Sequence, residues 1–431
     1  MRAAFAQTDI TPDFPVELIG CYREDAHSKG VRDPLLAQIL LLQEGDINYC
    51  LAAIDSLGLT VGLSLTLRTL LADLLHTDVS RVMLCFSHTH SAPAPLSPVN
   101  GERYFRLLKN RIEQCAADAY RTLSPSRASW AMTSTPIAEN RRDGCNEVDR
   151  RLGILRIENK ETDRPIVTLL RVSAHANILM DSNDRISSDY FGLARNQLQE
   201  RYSHPFMLIQ GASGNLKPSG VDKIHGGSES DLERIAGLLA ASYERTQPGG
   251  DSEPASEHAS EATSEPTFEN GISMYSKPFL YESAVPSEEE ANRIASEAKT
   301  LCGIDGSNWL NECASLRKSG ISRQVQEGEI QFLFLGGACL CGMPDELFCE
   351  ISMEASKRSH APYLFLNGYT NGCTGYLPHA TEWVKGGYET LYSYLTFYPY
   401  HGHVMPFLPD TAERIVSLVC AEWARQEGRR F

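Results

Sequence analysis

No apolar run in this chain approaches the roughly 20 residues needed to cross a bilayer. The N-terminal stretch Met1-Arg2-Ala3-Ala4-Phe5-Ala6-Gln7-Thr8-Asp9 also lacks the long apolar core of an export signal. No basic stripe offsets the formal charge of −15, so the counterion release that drives binding to nucleic acid or to anionic membrane has no obvious source. The lone Cys-x-Cys of Cys339 and Cys341 has no second pair at zinc-finger spacing, and the 12 cysteines are scattered, mostly within apolar runs such as those holding Cys50 and Cys85. Buried reduced thiols are expected rather than a disulfide framework. Gly211-Ala212-Ser213-Gly214-Asn215 lacks the Gly-Lys-Ser/Thr ending of a phosphate-binding loop, and Asn215 stands where a nucleophile elbow needs its last glycine. These absences leave a soluble, cytoplasmic protein as the expectation. With 431 residues, 42% of them hydrophobic and 22% charged, it can bury the core of one large domain or two ordinary ones.

What is present centres on Ser87-His88-Thr89-His90-Ser91, directly after the apolar run Val82-Met83-Leu84-Cys85-Phe86. A run with no polar face reads as a strand buried on both sides. On extended backbone, residues two apart point the same way, which directs His88 and His90 to one site at the strand exit, where α/β sheets bind ligands. Two imidazoles there suit two metal bonds, or one metal bond and one proton-transfer group; a pair of hydrogen-bonded loop histidines is the plainer alternative.

Along the chain, strand-like runs at 37–43 and 48–54 flank the Gly45-Asp46 turn as a hairpin, and helical spacing covers 62–76, 102–122, about 190–202, 229–245 and 287–302. Further strands are expected at 127–134, 152–158, 165–174, 205–210, 321–327, 330–335 and 362–366. The strand at 165–174 delivers His175 at its end, repeating the placement of His88. Ser188 or Asp189 would cap the following helix, a role compatible with Asp189 orienting a metal-bound histidine. The small residues from Gly211 to Asn215 would let a ligand approach the backbone. Pro344-Asp345-Glu346 would end a strand and project Glu346 from the start of a helix running to about 358. Asn367-Gly368-Tyr369-Thr370-Asn371-Gly372-Cys373-Thr374-Gly375-Tyr376 is dense enough in glycine and tyrosine to shape a pocket. Gln247 to Asn270 is acidic, without lysine or arginine, and reads as a mobile insertion.

In this order, Asp9-Ile10-Thr11-Pro12, Ser87-His88-Thr89-His90-Ser91, Asn140-Arg141-Arg142, Ala174-His175, Ser188-Asp189-Tyr190, Gln210-Gly211-Ala212, Pro344-Asp345-Glu346, Gly375-Tyr376-Leu377-Pro378 and Gly386-Gly387-Tyr388-Glu389 resemble the motif series of the neutral, non-lysosomal ceramidases and their smaller bacterial relatives. The resemblance implies an α/β fold of mixed sheets flanked by helices. It makes residues 1–431 one catalytic domain, interrupted at about 247–270 and lacking the C-terminal immunoglobulin-like domain of the full-length enzymes. It also implies a Zn²⁺ ion on His88, His175, Glu346 and Tyr376, with His90, Arg141 and Tyr388 at the substrate carbonyl; Asp189, Gly211 and Asn215 are the expected substrate-binding or supporting residues on the reading of the residues given above. The implied activity is zinc-dependent hydrolysis of a carbon–nitrogen amide bond by metal-activated water, on an N-acyl, ceramide-like amide. A soluble amide, lactam or peptide-like metabolite is the alternative substrate, and a non-catalytic metal-binding or ligand-binding protein the alternative of another class. Two departures bear on substrate: Asp345 stands where the family has glycine, and Asn215-Leu216-Lys217-Pro218 replaces a Gly-Asp and Ser-Pro pattern.

Segment 247–270 is too polar to offset a backbone-ordering cost of roughly 1–2 kcal/mol per residue. Replacing it with a short Gly-Ser linker is therefore expected to leave turnover nearly unchanged in a steady-state assay; a large loss would identify it as a lid.

Overall fold

A computed structural model describes residues 1–222, 224–247 and 271–428. Three antiparallel strands, then a helix and a fourth strand laid parallel to the third, recur three times along the chain. The first copy is β1 (Arg2–Asp9), β2 (Leu36–Glu44), β3 (Ile47–Ile54), α1 (Val61–Leu74) and β4 (Val82–Phe86), followed by α2 (Gly101–Arg121). The second is β5 (Ser124–Ser134), a short β6 (Ala138–Asn140) outside the repeat, β7 (Arg151–Asn159), β8 (Pro165–Val172), α3 (Asp189–Tyr202) and β9 (Phe206–Gln210), followed by β10 (Leu216–Pro218) and α4 (Glu229–Glu244). The third begins with β11 (Ser273–Ala284), admits α5 (Glu288–Cys302) and α6 (Ser307–Lys318), and continues through β12 (Arg323–Leu335), β13 (Ala338–Gly342), β14 (Glu346–Leu347), α7 (Cys349–Arg358) and β15 (Leu364–Asn367). It closes with β16 (Tyr376–Leu377), α8 (Ala380–Trp383), α9 (Tyr394–His401) and α10 (Thr411–Glu427).

The first two copies join edge to edge through β1 and β5 into an eight-stranded sheet of order β4-β3-β2-β1-β5-β7-β8-β9, and the third forms a four-stranded sheet, β11-β12-β13-β15. The parallel pairs are β3 with β4, β8 with β9, and β13 with β15. Side-chain alternation assigns the layers. Ile39 and Leu41 pack with α1 and α2, whereas Leu40 and Leu42 belong to a second core shared with Leu333, Leu335, Leu340 and Phe365 of the smaller sheet. The two sheets therefore face each other, and helices cover both outer faces, α3 and α4 over the second copy and α7 and α10 over the third. This is the mixed-sheet α/β architecture expected. Val82 to Phe86 lacks a polar face because its residues alternate between two apolar cores.

Three expectations change. The strands at 321–327 and 330–335 are one strand, β12: Gly328, which reads as a break, faces the Tyr281 ring so closely that a Cβ there would lie 2.4 Å from it. Its partner β11 was not anticipated, and Pro278 is tolerated there because β11 is an edge strand. Glu346 does not start a helix. It pairs in parallel with Tyr376, its N–H donating to the Gly375 carbonyl at 2.7 Å, and α7 begins only at Cys349. Beyond Gln247, the acidic stretch lies outside the described residues.

A buried ion-pair cluster ties the second copy to the third. Arg171 on β8 pairs with Asp149 at 2.8 Å and donates to the Asn367 Oδ1 at the end of β15, also at 2.8 Å, while Arg151 holds the other Asp149 oxygen. Removing one partner from such a cluster strands a buried charge. Asp149→Ala is thus expected to cost about 3–5 kcal/mol in chemical denaturation; a loss below about 1 kcal/mol would show that Arg171 finds other compensation.

Candidate metal centre

The exits of the three parallel pairs converge, and each repeat places one side chain there: His88 after β4, His175 after β8, Glu346 after β13. The His88 Nε2 lies 3.3 Å, and the His175 Nε2 3.4 Å, from the same Glu346 Oε2. A tetrahedral ion with bonds of about 2.0–2.1 Å separates neighbouring ligand atoms by about 3.3–3.4 Å, which is the spacing of each histidine from Glu346. Each histidine is oriented from behind. The His88 Nδ1 is 2.6 Å from the Leu57 carbonyl and the His175 Nδ1 is 2.8 Å from the Ser213 carbonyl, which places the proton on Nδ1 and leaves the Nε2 lone pair toward Glu346. Burial and the nearby Arg141 push the His175 pKa down to about 4. Burial alone would raise that of Glu346, but His88 and His175 hold it well below the ordinary carboxylate range. A neutral His175 beside an ionised Glu346 matches the protonation states a divalent cation requires.

His90 joins this group; one ring atom from each of His88, His90 and His175 lies within 4.8 Å of the others. It differs in that neither of its buried ring nitrogens has a hydrogen-bond partner among the described residues. No carbonyl pins its tautomer, and burial, reinforced by His88 and His175, lowers its pKa well below the usual histidine value. The expected extended geometry does not hold. His88 has φ 61°, in the left-handed region, and the chain turns there because the His88 N–H donates to Ser56 while the His90 N–H donates to Ala176.

Arg141 and Tyr376 flank the group. The Arg141 Nη2 donates to the Tyr376 hydroxyl at 2.9 Å and to the Gly214 carbonyl, while its Nε faces Glu389 at 3.1 Å. Glu389 also holds Arg142, at 3.2 Å. The Tyr388 ring centroid is 6.3 Å from that of Tyr376, at the start of a π-helical turn (Tyr388–Tyr392), and Tyr388 is partly exposed. The structure thus brings together His88, His90, His175, Glu346, Tyr376, Arg141 and Tyr388.

The three supporting residues make the following contacts. Asp189, fully buried, accepts the N–H groups of Leu179 and Tyr190 at 2.8 Å each and has no hydrogen bond to a histidine among the described residues. Backbone carbonyls, not this carboxylate, orient the histidines. Gly211 is a packing glycine, since a Cβ there would lie 2.3 Å from the Ser173 hydroxyl and 2.5 Å from the Arg171 guanidinium. Asn215 accepts the Cys349 N–H at the start of α7, binds Glu350 through its amide, and accepts the Arg141 N–H on its carbonyl, so it carries the backbone of Arg141. The sequence reading missed Tyr369, whose ring lies 4.3 Å from that of His88 and whose hydroxyl is 3.4 Å from the Glu346 Oε2. Its place in the glycine- and asparagine-rich loop was the available signal.

No protein-family model and no curated protein sequence matches this chain. Solved structures do. The neutral ceramidase from Pseudomonas aeruginosa aligns with a TM-score of 0.71 at 17% identity, over 99% of this chain and 74% of its own. A ceramidase complexed with C2 aligns at 0.72 and 17% identity, over 99% of this chain and 75% of its own. The fold implied by the motif series is the fold observed.

Proposed function

We propose that this chain is a zinc-dependent hydrolase of carbon–nitrogen amide bonds, a member of the bacterial neutral-ceramidase-like family working as one catalytic domain with an acidic insertion. One observation carries the reading: two buried imidazoles, each oriented by a backbone carbonyl, face one oxygen of the Glu346 carboxylate, beside a histidine whose nitrogens have no partner among the described residues. The ligands would be His88, His175 and Glu346, with Tyr376 fourth; two histidines and a glutamate form a catalytic-type donor set, and water would enter as a fifth ligand. Bound zinc supplies Lewis acidity, lowering the pKa of water toward about 7 and polarising a carbonyl.

The protein's own groups do the rest. His90, kept neutral by burial, is free at both nitrogens to take a proton from the attacking water and return it to the leaving amine. The Arg141 guanidinium, steered by Glu389, and the Tyr388 hydroxyl, whose pKa burial pushes up to about 12, donate to the oxygen on which negative charge develops. Substrates are N-acyl amides, either lipid-like or soluble. All 12 cysteines are free, which supports a reducing, cytoplasmic location, and among the described residues no helix is long and apolar enough to cross a membrane.

Elemental analysis is expected to find one zinc per chain, lost in His88→Ala and His175→Ala; zinc surviving in both would refute the ligand set. Assayed on fluorogenic N-acyl amides, His90→Ala, Arg141→Ala and Tyr388→Phe should keep the metal yet lose about 10²–10⁴ in kcat. Wild-type kcat in all three would refute the mechanism, and a zinc-loaded wild type inert on every amide would favour a binding protein.

A further inference from the structure

The Asp345 carboxylate, adjacent to Glu346, is almost fully buried and turns to partners outside the metal centre. Its Oδ2 accepts the Tyr281 hydroxyl at 2.9 Å and its Oδ1 accepts the Thr374 hydroxyl at 3.0 Å. Among the described residues, no lysine, arginine or histidine forms an ion pair with it. A buried carboxylate served only by hydroxyls is a poor device for stability, since its desolvation is uncompensated by any cation. Its presence calls for a gain elsewhere.

That gain is visible in what Thr374 leads into. Residues 374–377 lie along 344–348 as a parallel ribbon with only two register pairs, Glu346 with Tyr376 and Leu347 with Leu377. A ribbon this short does not hold its own register, and a slip of one residue would turn the Tyr376 ring to the opposite face, away from Arg141. Side-chain ties stand at its start and within it: Asp345 to Thr374, and the Tyr394 hydroxyl to the Tyr376 carbonyl at 2.7 Å. The His401 ring closes the gap between them, packed so tightly on Gly375 that a Cβ would lie 2.3 Å from it. The backbone bonds from Thr374 N–H to Pro344 and from Glu346 N–H to Gly375 form only in this register.

We propose that Asp345 is a positioning residue: by holding Thr374 it fixes the register that sets Tyr376 beside Glu346 and Arg141. The inference rests on the role assigned to Tyr376 above. It is tested on the metal-loaded enzyme with Asp345→Ala, Asp345→Asn, Thr374→Val and the Ala/Val double variant, measuring kcat and KM on one N-acyl amide, the electronic spectrum of the cobalt(II)-substituted protein, and the thermal midpoint. A displaced catalytic group costs up to about 10²-fold in rate, so Asp345→Ala and Thr374→Val should each lose about 10- to 100-fold in kcat with KM little changed, and the double variant should be no worse than either single one. Asp345→Asn, which can accept from Tyr281 and donate to Thr374, should stay near wild type in kcat and in the cobalt spectrum. The spectrum should change in the other variants. The midpoint of Asp345→Ala should fall, because the Tyr281 and Thr374 hydroxyls lose their acceptor, and Asp345→Asn should restore it.

Wild-type kcat and spectrum in Asp345→Ala would overturn the proposal, as would losses that multiply in the double variant, or a lowered midpoint that Asp345→Asn does not restore. A wild type that binds no cobalt and cleaves no amide would instead refute the reading of the site, and this inference with it.

Discussion

One side chain, Gln210, lashes the exits of three strands together. At the end of β9, its amide oxygen accepts the Ala174 N–H at 3.2 Å, and its amide nitrogen donates to the Ala174 carbonyl at 2.7 Å and the Ser87 carbonyl at 3.2 Å. Ser87 precedes His88 and Ala174 precedes His175. Backbone leaving a sheet has polar groups that lose their ladder partners, and in the interior each must be satisfied. Here one buried amide satisfies them across two repeats, so the His88–His175 spacing follows from the same contact that lets both strands end inside the protein. The Tyr190 hydroxyl adds a second bond to the Ala174 carbonyl, at 2.7 Å.

The threefold repetition explains why a site exists at this point. A parallel pair must be joined by a crossover, so its two strands leave the sheet side by side and open a crevice at their ends. Three such pairs meet, and the third is bonded to the others through backbone: the Gly368 N–H donates to Gly211 and the Phe86 N–H to Tyr369. Carbonyls from these exits, not acidic side chains, steer the two imidazoles. Of the three histidines' Nδ1 atoms, those of His88 and His175 are paired with carbonyls and that of His90 has no partner among the described residues. An unpaired buried donor or acceptor is unfavourable in a resting structure, and it is what a group that must exchange protons with a substrate requires.

The second layer of charge has the same economy. Glu389 holds both Arg141 and Arg142, Glu382 holds Arg142 at 3.0 Å, and Asn215 holds the Arg141 backbone. A guanidinium so restrained keeps its donors aimed at one place, which is what preorganised charge stabilisation demands. Tyr388 follows Gly387, which has φ 97°. That backbone is open to glycine at little strain, and it opens the π-helical turn that swings the phenol toward Tyr376.

Local sequence carried much of this protein. The alternation of apolar residues in β2, the apolar run of β4, the stripe of α2 and the histidines at two strand exits are properties of short segments, set by pleat, period and burial, and they were legible before any folding was considered. The ordered motifs pointed to a fold that the structure bears out. Other features depended on partners far away in the chain. Glu346 left the expected helix start because Gly375 offered a carbonyl, Gly328 proved a close approach to Tyr281 instead of a turn, and Asp189 gave its oxygens to nearby N–H groups instead of a histidine. The carbonyls of Leu57 and Ser213 orient the imidazoles, yet every residue has a carbonyl, so no sequence pattern marks them. Sequence thus determined which side chains were chemically capable and where strands would release them. Tertiary structure alone decided which would meet, because a hydrogen bond or an ion site depends on ångström-scale distances between segments that sequence separation does not encode.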